Sequence, residues 1–364
     1  MDEKREREAW IGCERFVAGT DPRGRDPRTT LLELAERAPA VGEADRYGGG
    51  MLAERLEGRI AGLLGKEAAV WMPSGTMAQQ IALRIHAGRS GRNLVAFHPH
   101  CHLDVHEERG YEALHGLRAT LLCDPNRLVR AEDVVKLSEQ HAAVLLELPQ
   151  RDLGGRLPPW DDLVATAEAA RAGGAAVHLD GARLWQCGPF YQRSFDEIAA
   201  LFDTVYVSFY KDLLAPAGCA LAGPADVIAE ARVWLVRHGG RLFSAFPFLL
   251  AAERGLDEVL PHMPDYVEHT RALAAALAQV EGVSIVPDPP QVAMFHLYVK
   301  GDPERLNLAA VELAERTRTS LGAHFSSTAD PAVAATELSI GKANLAVTPR
   351  EAAELYSELV ASLA

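Results

Sequence analysis

Short apolar segments alternate with helical patterns along the middle of the chain. The predicted strands are Ala68–Met72, Asn93–Phe97, Arg118–Leu122, Ala143–Leu148, Ala175–Asp180, Thr204–Ser208 and Cys219–Ala222. The helical patterns that separate most of them cover Met77–His86, Ala131–Gln140, Trp160–Ala172 and Phe195–Leu201. Strands that are almost entirely apolar and alternate with helices are typical of a mainly parallel sheet with helices on both faces. The pattern therefore predicts an α/β fold built on such a sheet.

The hydrophobic pattern changes after about residue 250. The elements predicted beyond that point are helices Asp265–Val280, Pro303–Leu321 and Pro349–Leu363 and strands Val283–Val286, Val292–Val299 and Glu337–Ile340. They indicate a smaller α+β domain, joined to the first by a helix near Phe248–Leu260. Residues 1–45 are polar, with a short predicted helix at Thr30–Arg37, and are expected to pack on the body of the protein or on a partner subunit. The predicted domains are residues 1–45, 46–250 and 251–364.

Charge and composition argue against several classes of partner. The formal net charge is −13, so neither a nucleic acid nor an anionic membrane surface is an expected partner. The charged start of the sequence does not match a signal peptide, and no apolar run is long enough to span a bilayer. The 5 cysteines form no CxxC pair, which indicates a reduced, cytoplasmic protein.

Two residues at strand ends carry the strongest chemical signal. Asp180 ends one apolar strand, and Lys211 follows the end of the next, 31 positions further on. That spacing fits a strand, a crossover helix and a second parallel strand. A buried acid beside a pyridine nitrogen keeps that nitrogen protonated, and a partly desolvated lysine amine is able to form a Schiff base. The pair is what an enzyme that uses pyridoxal phosphate (PLP) requires.

Simpler interpretations of this pair exist. Asp180-Gly181 could form an ordinary turn, and Lys211 could be a surface lysine at a strand end. The context favours the chemical interpretation, because an Asp that ends a buried apolar strand is costly without a partner. Arg183 lies three positions after Asp180 and is able to bind an anion in the same cleft.

Ser74-Gly75-Thr76 lies between a predicted buried strand and a predicted helix. The first amides of a helix are unpaired and its dipole favours an anion, while Gly75 allows close approach of the backbone. The segment therefore predicts a phosphate site. The alternative is that Ser74 or Thr76 only caps the helix. The downstream Asp180 and Lys211 favour the phosphate.

Two further segments have alternative interpretations. His98-Pro99-His100-Cys101-His102-Leu103-Asp104-Val105-His106 contains residue types that bind metals. The strand-end position also suits one histidine ring stacked on the cofactor, and this interpretation is preferred, with the other histidines structural. Gly239-Gly240-Arg241 either reaches the phosphate, from the same or a neighbouring subunit, or forms a helix C-cap.

Taken in order, the motifs resemble those of the low-specificity threonine aldolases, within the β-eliminating lyase superfamily of fold-type-I PLP enzymes. The matching segments are Tyr47-Gly48, Leu64-Gly65-Lys66-Glu67-Ala68-Ala69, Pro73-Ser74-Gly75-Thr76-Met77-Ala78, Asp180-Gly181-Ala182-Arg183-Leu184 and Lys211-x-Leu213-x-Ala215-Pro216-x-Gly218. The resemblance implies a large PLP-binding domain with a mainly parallel seven-stranded sheet and a smaller C-terminal domain. It also implies a homodimer or homotetramer in which the subunit interface completes each site.

The resemblance implies roles for single residues. The implied catalytic residues are Lys211, His102, Asp180 and Arg183. The implied cofactor-binding residues are Ser74, Gly75, Thr76, His102, Glu147, Asp180, Arg183 and Lys211. Lys211 would form the Schiff base, Asp180 would pair with the pyridine nitrogen, and Arg183 would lie beside the cofactor and the substrate carboxylate. His102 would stack on the cofactor ring if Glu107 and Gly110 keep the family spacing, with His100 as the second choice, and no residue is assigned to a metal.

Several positions depart from the family pattern. Glu147 matches the first residue of the family's Glu-Asn-Thr-His, but Gln150 stands where a histidine near the substrate hydroxyl is expected. Tyr210 and Asp212 replace the small residues usual around the lysine. A late arginine that clamps the substrate carboxylate should fall in Glu337–Asn344, which contains no arginine, and the family's opening Arg-Ser-Asp-Thr is missing.

The resemblance implies retro-aldol cleavage of a β-hydroxy-α-amino acid to glycine, or a related amino acid, and an aldehyde. The departures favour an alternative reaction with the same cofactor. This reaction is β-elimination, or other side-chain chemistry on a non-standard amino acid in a biosynthetic pathway. Two further alternatives are a binding protein that kept the fold and lost turnover, and a metal enzyme. Intact Lys211, Asp180 and Arg183 argue against the binding protein.

Overall fold

The computed structural model of the chain describes residues 3–22, 26–38 and 44–363. Parts of the predicted N-terminal segment, residues 1–2, 23–25 and 39–43, lie outside the described residues, as does residue 364. The chain divides into two compact units. The larger unit comprises Glu36–Asp152 and Leu157–Pro261, and the smaller comprises Met1–Ala35, Leu153–Arg156 and His262–Ala364. The predicted division at residues 45 and 250 stays a prediction.

Strands and helices alternate through the larger unit, as predicted. The helices and strands of both units are numbered in chain order. The helices are α1 (Glu3–Gly12), α2 (Pro27–Arg37), α3 (Met51–Leu63), α4 (Gly75–Ser90), α5 (His102–Val105), α6 (Gly110–His115), α7 (Ala131–Val135), α8 (Trp160–Ala172), α9 (Gly188–Tyr191), α10 (Phe195–Ala199), α11 (Ala225–Arg237), α12 (Phe246–Glu258), α13 (Met263–Leu277), α14 (Pro303–Thr317) and α15 (Pro349–Ala361). The strands are β1 (Arg15–Phe16), β2 (Ala68–Met72), β3 (Leu94–Phe97), β4 (Arg118–Leu121), β5 (Ala143–Glu147), β6 (Ala176–Gly181), β7 (Thr204–Ser208), β8 (Cys219–Gly223), β9 (Val283–Val286), β10 (Met294–Lys300), β11 (Thr319–Ser320), β12 (Ser326–Ser327) and β13 (Val333–Ser339).

The larger unit is built on one 7-stranded sheet with the order β2-β8-β7-β6-β5-β3-β4. The four neighbouring pairs from β7 to β4 are parallel, whereas β8 runs antiparallel to both β7 and β2. Every residue of β3, β7 and β8 is buried, which explains why these strands read as continuous apolar runs. The predicted α/β class and mainly parallel seven-stranded sheet are confirmed.

Helix α4 is held against this sheet by an apolar stripe. Ala78, Ile81 and Ile85 recur at helical spacing and share one buried cluster with Val70 of β2 and Leu221 of β8. Only two residues separate the end of β2 from the start of α4. The amino terminus of α4 therefore lies at the carboxyl end of β2.

The smaller unit contains a 4-stranded antiparallel sheet with the order β12-β13-β10-β9. Its core includes Leu273 of α13, Phe295 of β10, Leu338 of β13 and Tyr356 of α15. The two-residue strand β1, near the start of the chain, pairs in parallel with β11. The predicted α+β character of the C-terminal region is confirmed.

Two predicted helices extend furthest beyond the observed helix ends. The helix predicted over Ala131–Gln140 ends at Val135, because the chain must turn to bring Ala142 beside Leu94, whose carbonyl accepts its N–H at 2.7 Å. The helix predicted over Pro303–Leu321 ends at Thr317, because the next residue has a φ of 53° and the chain then pairs with β1. Both helix ends depend on contacts with residues distant in the sequence, which a local pattern does not contain.

Candidate active site

Polar side chains meet where β5, β6 and β7 end. Glu147 lies opposite Asp180 across β5 and β6, and Asp180 lies opposite Tyr206 across β6 and β7. The Asp180 side chain is buried. Its Oδ2 accepts a hydrogen bond from Gln79 Nε2 at 2.8 Å, and its Oδ1 accepts one from the Ala182 N–H at 3.0 Å. The two donors fix the orientation of the carboxylate.

Lys211 follows β7 in a tight loop. The Phe209 N–H donates to the Gly218 carbonyl at 3.0 Å, and Gly218 has a φ of 101°, which favours glycine. Burial lowers the pKa of Lys211; the Asp180 charge opposes that shift and the Arg183 charge adds to it. A less basic amine is unprotonated, and so nucleophilic, over a wider pH range.

Glu147 is held by the residues that follow it. Its Oε2 accepts from Gln150 Nε2 at 2.9 Å, and its Oε1 accepts from the Arg151 N–H at 3.1 Å. Burial, and then the neighbouring Asp180 charge, raise the pKa of Glu147 to about 8. Gln150 is a hydrogen-bond donor to this carboxyl group, and an amide does not take up a proton near neutral pH.

The start of α4 has the features of an anion site. Ser74 precedes the helix in an extended conformation and makes no side-chain capping hydrogen bond to the described residues. A Cβ added at Gly75 would overlap the Tyr206 hydroxyl, so only glycine fits there. The Tyr206 hydroxyl lies 3.4 Å from that of Tyr210. The first amides of α4, beside Thr76, are therefore left for a ligand or water.

His102 is the first residue of α5. Burial, and then the Lys211 charge, lower the pKa of His102 to about 4, so its ring is neutral at pH 7. The Asp180 charge also acts on this ring, which belongs to the same cluster of charges. His102 Nε2 lies 3.9 Å from Glu107 Oε1. The choice of His102 over His100 as the stacking ring stays a prediction.

The other histidines of this segment have separate partners. His98 Nδ1 accepts from the His100 N–H at 2.9 Å, and His98 Nε2 lies 2.9 Å from the Arg127 carbonyl oxygen, to which it donates. His106 Nε2 lies 3.4 Å from Asp152 Oδ2. Within the described ranges, no three His, Cys, Asp or Glu side chains are grouped so that they could hold one metal ion.

Arg183 and Asp212 border Lys211. Arg183 precedes a short 3₁₀ helix, and its charge affects the pKa of both Lys211 and Asp212. Asp212 Oδ1 accepts from Gln186 Nε2 at 2.6 Å. Burial raises the pKa of Asp212 to about 6.

Residues 239–241 follow the end of α11. The Gly240 N–H donates to the Leu235 carbonyl at 2.9 Å, and Gly239 has a φ of 70°, as in a helix C-cap. Arg241 Nε donates to the Tyr47 carbonyl at 3.0 Å. The predicted C-cap is therefore present, and a contact of this segment with the phosphate stays a prediction.

Two members of the cluster are given no role by the sequence analysis. Gln79 lies in the first turns of α4 and bonds to Asp180, which is 101 positions away. Glu107 is inward-facing, with its side chain only 3% exposed. The available signal for Gln79 is a polar Gln-Gln pair inside an otherwise apolar helical face. Glu107 has no such local signal, because its position depends on the turn after α5.

The residues fit PLP. The buried and oriented Asp180 suits a protonated pyridine nitrogen, the buried Lys211 suits the aldehyde, and the open amino end of α4 suits the phosphate. A mainly parallel sheet that carries this set at its carboxyl ends defines a PLP enzyme of fold type I.

The chain belongs to the beta-eliminating lyase family, whose model matches residues 29–301. It is therefore a PLP-dependent lyase. A Listeria monocytogenes EGD-E protein, provisionally named an L-allo-threonine aldolase, is 37% identical and superposes over 99% of both chains with a TM-score of 0.92. Low-specificity L-threonine aldolase 1 of Arabidopsis thaliana is 27% identical over 64% of this chain and 68% of its own length.

Coverage of the curated relatives varies. The match to the uncharacterized protein R102.4 of Caenorhabditis elegans, 31% identical, covers 56% of this chain and about half of that protein, 52%. Among the described residues, no helix combines the length and apolar character needed to cross a membrane.

Proposed function

We propose that the chain cleaves the Cα–Cβ bond of a β-hydroxy-α-amino acid by a retro-aldol reaction, releasing an aldehyde and glycine or a related amino acid. The observation that carries the proposal is the grouping of Lys211, Asp180 and His102 around the carboxyl ends of β6 and β7. Relatives named as threonine aldolases, at 27% and 37% identity, support the choice of bond.

PLP, when bound, supplies an electron sink for the pair of electrons released at the substrate Cα. Asp180, oriented by Gln79, would hold the proton on the pyridine nitrogen. Lys211 would supply the amine that binds the cofactor, because burial favours its unprotonated form. Arg183 would pair with the anionic carboxylate of the substrate.

His102 would accept the proton of the substrate hydroxyl. Its ring is neutral at pH 7, because its pKa is lowered to about 4, and so one nitrogen has a free lone pair. As this proton leaves, the Cβ–O bond becomes the carbonyl of the aldehyde and the Cα–Cβ bond breaks. A bound water between His102 and the hydroxyl would serve the same purpose.

Ser74, Gly75 and Thr76 would hold the cofactor phosphate at the amino end of α4. The helix dipole, the first amides and the Thr76 hydroxyl all favour an anion there. Glu147 would contribute to cofactor binding from the neighbouring strand end. It would do so as a protonated carboxyl group, since its pKa is raised to about 8.

The test is to incubate the purified enzyme with L-threonine, L-allo-threonine and phenylserine and to measure aldehyde and glycine. Equal amounts of both products from at least one substrate are expected, and Lys211→Ala should release neither. A full panel of β-hydroxy-α-amino acids that yields no aldehyde would exclude the proposed reaction.

A second candidate is β-elimination. Gln150 favours it, because this amide donates to Glu147 and is unable to take a proton from a substrate hydroxyl. The same incubations, with L-serine added, should then yield ammonia and a keto acid in place of an aldehyde. The product therefore discriminates between the two reactions.

We also propose that the protein is cytoplasmic and is a homodimer or homotetramer whose interface completes each site. Exposed apolar side chains on the larger unit support an interface: Tyr47, Met51, Phe243 and Phe246. Light scattering at micromolar concentration should give two or four times 39.4 kDa, and a monomer would contradict this proposal.

A further inference from the structure

Glu107 occupies an unusual turn between α5 and α6. The two residues that follow it, Glu108 and Arg109, both have left-handed conformations, with φ of 51° and 52°. Arg109 Nε lies 3.3 Å from Asp104 Oδ1, which ties the turn back to α5. Such backbone conformations cost free energy and persist only where the surroundings impose them. Here they direct the Glu107 carboxyl group inwards.

The Glu107 carboxyl group contacts the first two turns of α4. The Thr76 and Gln80 side chains lie close enough to it to lower its pKa. Gly110 makes room for this arrangement, because a Cβ there would lie 2.5 Å from Gln80 Nε2. Glu107 Oε2 is buried without a hydrogen-bond partner among the described residues. A buried carboxylate in this position is costly while it carries a charge.

Several ionisable groups face Glu107. They are His102, Asp180, Lys211, Tyr210, Cys101 and Cys219. Burial and the Asp180 charge raise the pKa of Glu107, and the contacts with Thr76, Gln80 and Lys211 lower it, with a result of about 7. Glu107 is thus half-protonated near neutral pH.

The Thr76 hydroxyl has one proton to donate and two possible anionic acceptors. One acceptor is the ionised Glu107, and the other is the phosphate that the proposed cofactor site would bring to the start of α4. Two anions cannot share that single proton, and their charges repel each other at close range.

We propose that Glu107 takes up a proton when the cofactor phosphate binds at Thr76. The inference rests on the proposed phosphate site and assigns Glu107 as a positioning residue that acts through Thr76. The proton comes from solvent and no covalent bond changes. The protonated Glu107 then donates to Thr76 Oγ1, which donates its own proton to the phosphate.

The test counts protons. Pyridoxamine 5′-phosphate, which carries an amine and forms no bond with Lys211, is titrated calorimetrically into the cofactor-free full chain at pH 8 in two buffers with different ionisation enthalpies. Wild type should take up about one proton more than Glu107→Gln, because Glu107 is then mostly ionised before binding. At pH 6 the two proteins should agree. Subtracting the proton uptake of Glu107→Gln from that of wild type cancels the protons taken up by the ligand or by Asp180.

The affinities provide a second measure. The ratio of the wild-type Kd to that of Glu107→Gln should rise about fivefold between pH 7 and pH 8, because only wild type must gain a proton. Glu112→Gln is the matched control, since Glu112 is half-exposed and pairs with Arg109 on the same turn. It should behave as wild type. Equal proton uptake and a constant Kd ratio would overturn the proposal.

An infrared difference spectrum covers the case in which Glu107→Gln does not fold. Binding to wild type at pH 8 should add the stretch of a protonated carboxyl group, and this band should persist in Glu147→Gln, which removes the buried carboxyl group whose pKa is raised to about 8. Absence of this band would refute the proposal. None of these measurements uses turnover, so failure of the aldol reaction and failure of this inference are distinguishable.

Discussion

Strands β6 and β7 carry two successive polar pairs, an inner pair nearer the amino ends of the strands and an outer pair nearer their carboxyl ends. In the inner pair His178 lies opposite Thr204, and in the outer pair Asp180 lies opposite Tyr206. The two pairs are two residues apart on each strand, so they point to the same face of the sheet. Helix α4 contributes a side chain to each pair.

The contacts of the two pairs are similar, but their charges differ. His86 of α4 bonds to Thr204 through Nε2 at 2.9 Å, and His178 Nδ1 lies 2.8 Å from the same hydroxyl. Burial lowers the pKa of His86 to about 4 and that of His178 to about 3, so this group is neutral at pH 7. Two turns earlier on α4, Gln79 donates to Asp180, which lies among charged groups.

The difference shows how one packing pattern serves two purposes. The buried polar groups of the inner pair are tolerated because they are neutral and share the Thr204 hydroxyl, although Nε2 of His178 has no partner among the described residues. At the carboxyl ends of the strands, the same arrangement holds groups whose charges shift the pKa values of their neighbours. Changes to the inner pair should therefore affect folding without affecting turnover. Changes to the outer pair should affect turnover without affecting folding.

The largest effect is expected for Lys211→Ala. Loss of the amine that binds the cofactor should reduce kcat by about 10⁴-fold or more and abolish the visible absorption of the lysine-bound cofactor. Lys66→Ala is the matched control, because Lys66 is also partly buried but donates to the Phe202 carbonyl at 2.6 Å. It should lower the melting temperature and keep the absorption. Absorption that survives in Lys211→Ala would disprove the assignment.

Asp180→Asn should come next. The amide keeps the shape but removes the charge, so kcat should fall by about 10²–10³-fold, with little change in the far-ultraviolet circular dichroism. Asp226→Asn, at an exposed carboxylate, is the control and should match wild type. Unchanged kcat in Asp180→Asn would mean that the outer pair does not perform the chemistry.

Thr204→Val tests the inner pair. The change keeps the volume and removes the hydroxyl that both histidines contact, so the free energy of unfolding should fall by about 2 kcal/mol. The kcat value should stay within about twofold of wild type, since Thr204 begins β7 and Lys211 follows the opposite end of that strand. Urea unfolding and steady-state kinetics on the same preparation measure both quantities. A tenfold loss of kcat without loss of stability would reverse the comparison.

The sequence predicts Asp180 and Lys211 better than the residues that support them. Asp180 and Lys211 stand at the ends of apolar runs, and the mainly parallel sheet follows from the alternation of strand and helix patterns. Gln79 and Glu107 support the site through contacts between separate elements. The Gln-Gln pair marks Gln79 only as polar, and no local pattern indicates which residues either side chain contacts. The end of α14 escaped prediction for the same reason, because it depends on the pairing of β1 with β11.

The smallest effect is expected for His86→Met, measured through pH. A histidine with a folded-state pKa near 4 binds its proton at a lower pH than the same histidine in the unfolded chain, where the pKa is about 6.5. Stability conferred by neutral His86 is therefore present above pH 6.5 and is lost as the pH falls towards 4. The expected loss for this group is about 1 kcal/mol between pH 7 and pH 5.5.

The wild-type curve alone does not isolate this loss, because the raised pKa values of Glu107 and Glu147 give an opposite dependence on pH. The difference between wild type and His86→Met removes their contribution. His262→Gln, at an exposed histidine, is the control and should give no difference. If urea midpoints of His86→Met and wild type shift equally between pH 7 and pH 5.5, His86 is not held neutral by burial, and the contrast between the inner and outer pairs would rest on Thr204 and His178 alone.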